Sequence, residues 1–116
     1  MRFLRRLGIG KPEPESKLAA TERLHAEMSA IETEIAEATE TLTDLQKSAF
    51  DAMMLADKAI HARDDFAARI HLMEMERQRE KIHAITADLK VLRELLDTCH
   101  TFMKLESIDA SREVNP

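Results

Sequence analysis

The sequence predicts an all-α fold, a long antiparallel α-helical hairpin of the coiled-coil type preceded by a short amphipathic N-terminal segment. Three observations carry that prediction. Stepping alternately by four and three from residue 24 meets Leu24, Met28, Ile31, Ile35, Ala38, Leu42, Leu45, Ala49, Ala52, Ala56 and Ala59, all apolar. This is a heptad seam sustained over five repeats, the pattern of a coiled-coil helix. A second stripe follows, Met75, Gln78, Ile82, Ile85, Leu89, Leu92, Leu96, Cys99 and Met103. Composition is the third: no Trp or Tyr, four Phe, two Gly and 34% charged residues, a mixture suited to long helices and poor in turns.

Folded back antiparallel, the stripes match in one register. Leu24 meets Met103, Met28 meets Cys99, Ile31 meets Leu96, Ile35 meets Leu92, Ala38 meets Leu89, Leu42 meets Ile85 and Leu45 meets Ile82. The residue numbers of every pair add to 127, which puts the apex at Arg63 and Asp64. The first seam also fails beyond Ala59: its continuation would run through Arg63, Phe66, Ile70, Met73, Arg77 and Glu80, a poor stripe. An αα-hairpin accounts for the change of phase. The apex holds neither Gly nor Pro, so one continuous helix with a stutter is the alternative, as is a chain that switches between bent and straight forms.

In chain order, residues 1–11 form a basic amphipathic segment. Arg2, Arg5, Arg6 and Lys11 give it +4 with no acid; against a net charge of −5 for the chain, the remainder carries −9. As a helix it places Phe3, Leu4 and Leu7 on one face beside the arginines, with Ile9 following. Such a segment can lie in a membrane interface and meet anionic head groups. At about 1 kcal/mol per basic residue one copy binds weakly, and many copies on an oligomer bind well. A partner-docked terminus or a mitochondrial targeting segment has the same composition. Residues 12–16 are the breaker, where Pro12 and Pro14 bar a helix from running through and Glu13, Glu15 and Ser16 suit a start.

Helix 1 is expected over 14–60, roughly 70 Å at 1.5 Å per residue, the turn over 61–64, helix 2 over 65–104 and a flexible polar tail over 105–116. Asp64 or Asp65 can cap the second helix. Phe50, Met53 and Met54, with Leu55 and Ile60, place apolar groups off the first seam. Val91, Leu95 and Phe102, with Leu105, do so on the second. A helix apolar on a second side expects a second neighbour, so these residues mark a face for self-association or a partner.

Chemistry finds little to work with. Glu22/His25 and Glu80/His83 have the Glu-x-x-His spacing of di-iron bundles, but the register keeps the pairs apart and solvated faces explain them. A zinc site from His25, Cys99 and His100 would lack a fourth ligand. Cys99 reads as a small seam hydrophobe, with no base placed to activate it. Gly8-Ile9-Gly10 is too short for a phosphate loop. The expectation is a protein without catalytic residues, metal or cofactor. The acidic body opposes nucleic-acid binding, no run approaches the roughly 20 apolar residues of a membrane span, and one cysteine precludes an internal disulfide.

The stretch Ala59-Ile-His-Ala-Arg-Asp-Asp-Phe-Ala-Ala-Arg-Ile-His-Leu-Met, followed by Ile82, Ile85, Leu89 and Leu92, resembles the hairpin turn and following helix of the ESCRT-III/PspA superfamily. The basic-apolar tip before a Pro break is similar to that family's membrane-inserting segment. The turn glycine is absent, and the family's further helices and C-terminal partner motif are not seen, so the resemblance implies a minimal or truncated member. It implies hairpins polymerising side by side on a membrane with the tip inserting. The reading is therefore a cytoplasmic, peripheral-membrane homo-oligomer that touches an anionic membrane surface and possible protein partners. Its alternative is a soluble coiled-coil subunit or adaptor docked in a larger hetero-complex.

Overall fold

The structure, a computed structural model, describes residues 16–114, with side chains described through residue 107. It is an all-α helical hairpin. Among the described residues there are two helices, α1 (Lys17–His61) and α2 (Asp65–Val114), and no strand.

Ser16 starts α1. Its Oγ accepts the Ala19 N–H at 3.1 Å, satisfying one of the donors that a helix start leaves unpaired. Pro14 and Glu15, where the helix was expected to begin, lie outside the described residues. Exposed threonines are tolerated within the helices because their hydroxyls turn back onto carbonyls four residues earlier, as Thr33 does to Ser29 at 3.0 Å and Thr86 to Ile82 at 2.7 Å.

The end of α1 answers the missing glycine. Asp64 N–H donates to the Ala59 carbonyl at 2.9 Å and Arg63 N–H to the Ile60 carbonyl at 3.0 Å. This pair of bonds is a Schellman stop, which needs a left-handed residue at its penultimate position. Arg63 takes it with φ 58°. A residue with a Cβ adopts that conformation at a cost of about 1–2 kcal/mol. Lys58 and His61 in the last turn complement the negative end of the helix dipole. Asp64 then caps α2, its Oδ1 accepting the Ala67 N–H at 3.1 Å.

One expected boundary is corrected. Helix α2 does not stop at Lys104; it runs through the supposed tail to Val114. Residues 105–114 contain no Gly or Pro, so no local feature ends the helix there.

The described residues form two compact units, one of 16–35 with 91–114, the other Ala36–Lys90. In the first, Met28, Ile31, Leu92 and Cys99 are buried, with Ile31 wholly so. Leu24, Ile35, Leu95, Leu96 and Met103 pack around them. In the second, the buried residues are Ala52, Ala56, Ala59, Ala68 and Leu89, with Ala38, Leu42, Leu45, Ala49, Met75, Gln78, Ile82 and Ile85 half-buried. Every residue of the predicted seams is thus withdrawn from solvent. The second stripe also extends further than apolarity alone indicates. It begins at Ala68 and His71 and ends at Glu106, each buried or half-buried at the heptad spacing.

The alanine-rich third of α1 has its explanation in this register. With numbers adding to 127, Ala49, Ala52 and Ala56 fall opposite Gln78, Met75 and His71, longer side chains that are all half-buried. Alanines contribute little apolar area per rung, so this unit buries few large side chains and leaves many outside.

Candidate interaction surface

Those excluded side chains are the main surface feature. In the 36–90 unit, Phe50, Met53, Met54, Leu55, Ile60, Phe66, Ile70, Leu72 and Met73 are each 41–76% exposed. Among the described residues of the other unit the large exposed apolar side chains are Leu18, Phe102 and Leu105.

Part of this surface is concave. Phe50, Met53 and Ile60 recur along one flank of the α1 seam, and Leu72 approaches from the matching flank of α2. With Ala49, Ala56 and Met75 as floor they line a groove of about 430 Å³. Its alanines make it a groove: a larger residue at position 49 or 56 would fill it. Asp57 and Arg79 are its two charged lining residues. Arg79 lies 3.9 Å from Glu76 on its own helix, and the Asp57 carboxylate lies 3.5 Å from His61 Nδ1, which is itself 2.8 Å from the Asp57 carbonyl. Seven of its nine lining residues are apolar, which suits another protein's side chains better than an ionic ligand.

The residues expected to mark a partner face divide. Phe50, Met53 and Met54 are exposed on the 36–90 unit, and Phe102 is exposed on the other. Leu95 is a correction. It packs against the core of Met28, Ile31, Leu92 and Cys99 because its helical position adjoins the seam, and Val91 is half-buried. Phe66, Ile70, Leu72 and Met73 were not assigned to a face from sequence. A signal existed: Phe66, Ile70 and Met73 keep the four-three spacing of the abandoned first seam, and that apolar row is exposed. The expected membrane-binding residues Arg2, Phe3, Leu4, Arg5, Arg6, Leu7 and Ile9 lie outside the described residues.

The candidate chemistry is dispersed. Glu22, His25, Glu80, His83 and His100 are exposed, whereas Cys99 is buried. Among the described residues no three His, Cys, Asp or Glu side chains gather where a metal could be held. Burial, and then the Glu27 carboxylate, push the Cys99 thiol above its ordinary pKa, which disfavours the nucleophilic thiolate. No helix among the described residues is long and apolar enough to cross a membrane.

Fold and surface together define a helical hairpin with an unpartnered apolar flank. No family model matches the chain, and no curated protein or solved structure matches it.

Proposed function

We propose that this protein is a non-enzymatic helical hairpin that self-associates through the apolar flanks near its turn and acts at an anionic membrane surface. In that role it resembles the membrane-remodelling proteins of the ESCRT-III/PspA superfamily. The observation that carries the reading is the set of nine large apolar side chains on the 36–90 unit, each 41–76% exposed. Contiguous exposed apolar surface beyond a few hundred Å² marks an interaction site. Of the nine, Phe50, Met53, Ile60 and Leu72 gather around one groove, and the helix geometry spreads the others over more than one flank, so one copy can touch neighbours on two sides. The basic tip at Arg2, Arg5 and Arg6 supplies the attraction to anionic lipid, multiplied by the number of copies in the assembly.

Light scattering on the full chain and on Met53→Glu tests the association. Large assemblies of the parent that shrink in the variant support it. A parent that stays a lone monomer or dimer rejects it in favour of a coiled-coil subunit awaiting an unlike partner. Sedimentation with vesicles containing anionic lipid, with and without residues 1–10, tests the membrane arm. Equal pelleting of both forms rejects the tip's role.

A further inference from the structure

We propose that the turn at Ala62–Asp64 is a strained hinge through which two or more copies exchange helices, α1 of one chain zipping onto α2 of another in the register used within one chain. This does not rest on the apolar flanks; it uses the seam itself. Three observations and one general rule lead to it. The hinge is three residues long, with no Gly or Pro. Its Arg63 holds φ 58°, a conformation unfavourable for a residue with a Cβ and relieved if the segment becomes helical. The groups that close the turn, the Asp64 and Arg63 N–H and the Ala59 and Ile60 carbonyls, all find ordinary helical partners in a straight chain. Short hinges under strain favour exchange of this kind.

The geometry further specifies the product. Ala56 and Ala68 occupy equivalent seam positions on the two helices and are twelve residues apart. A continuous α-helix carries the second roughly 120° around from the first. The two seams of a straightened chain therefore face different directions and cannot both close on one partner. Each straight chain takes α2 from one neighbour and offers its own to another. The contact is head-to-tail and open-ended, so exchange builds a series of oligomers rather than stopping at a closed dimer.

The test uses full-length chains that cannot cross-link within themselves. In a Cys99→Ala background, one protein carries Ala38→Cys and the other Leu89→Cys, positions facing each other across the seam. A control mixture pairs Ala38→Cys with Ile82→Cys, about two turns out of register. After incubation of the mixed proteins at high concentration and mild oxidation, helix exchange yields the 38–89 mixed disulfide well above the 38–82 control. Arg63→Gly, which relaxes the bent form, lowers that yield about fivefold or more. Arg63→Ala, which favours helix through the hinge, raises it. Met53→Glu leaves it unchanged, which separates this exchange from association through the apolar flanks. Equal yields for the two cysteine pairs, or a yield indifferent to Arg63→Gly, overturn the proposal. Should Cys99→Ala not fold, light scattering on the parent, Arg63→Gly and Arg63→Ala chains decides it. The oligomer series must shrink with glycine and grow with alanine, and no change in either direction overturns the hinge.

Discussion

Thr21 and Glu106 meet across the hairpin, the Thr21 hydroxyl donating to Glu106 Oε2 at 3.3 Å. Their numbers add to 127, as do those of every seam pair, so this bond lies on the next rung beyond Leu24 and Met103. The two residues carry no apolar signal, yet they extend the register by a polar contact. The Lys17 carbonyl, at 2.8 Å, is the second acceptor for that one hydroxyl hydrogen, so the bond within the helix and the bond across the hairpin share or exchange it.

Burial predicts where truncation hurts. Ile31 is wholly buried at the centre of its cluster, and Ile31→Ala lowers stability by about 2–5 kcal/mol in urea unfolding followed by circular dichroism. Met53→Ala, at an exposed flank position, stays within about 0.5 kcal/mol of the parent. The contrast separates residues that hold the hairpin from residues that await a neighbour.

The turn predicts two changes of opposite sign. Arg63→Gly relieves the left-handed strain at some cost in unfolded-chain entropy, for a net gain of about 0.5–1 kcal/mol. Asp64→Ala removes the acceptor that caps α2 and loses about 1 kcal/mol. Thermal unfolding of the two variants, at a concentration where the parent is unassociated, measures both.

Gln78 lies on the second seam opposite Ala49. Its Nε2 donates to Glu74 at 2.6 Å, whereas its buried Oε1 has no partner among the described residues. An unsatisfied buried acceptor costs about 1–3 kcal/mol. Gln78→Leu removes it and raises stability by about 1 kcal/mol in the same unfolding assay. A polar seam residue also pins register, so the variant tolerates out-of-register cross-links that the parent rejects.

Cys99 predicts an alkaline limb. Its pKa is raised in the folded chain by burial and by Glu27, so above the ordinary thiol value the unfolded chain binds fewer protons than the folded one. Stability is then full below the ordinary thiol pKa and falls as pH rises from there through the raised value, by up to ~1.4 kcal/mol per unit. Cys99→Ala removes that part of the slope. Urea midpoints measured from pH 7 to pH 10 on both chains give the difference directly.

Much of this architecture was legible before any coordinate. Leu24 through Ala59, and Met75 through Met103, repeat every three and four residues, and that spacing alone selects one face of a helix. Two such faces of matching length left one antiparallel register open, and the apex followed. What periodicity could not read were positions whose side chains are not apolar or not large. Ala68, His71 and Glu106 belong to the second seam but do not announce it. Phe66, Ile70 and Met73 are apolar at a seam-like spacing and nevertheless face solvent.

By itself, then, the order of residues determined two helices, their register and the place where they reverse, because a heptad repeat is local information carried by every turn. Tertiary structure decided the rest. It decided that Arg63 rather than a glycine turns the chain, since a left-handed residue is imposed by the hydrogen bonds closing the helix and not by that residue's own preference. It decided that Leu95 joins the core while Phe50 and Met53 remain outside, because burial of a flanking position depends on what stands opposite. Where that opposite surface is built on alanine rungs, little area is covered, and the bulky groups beside them are left for another chain.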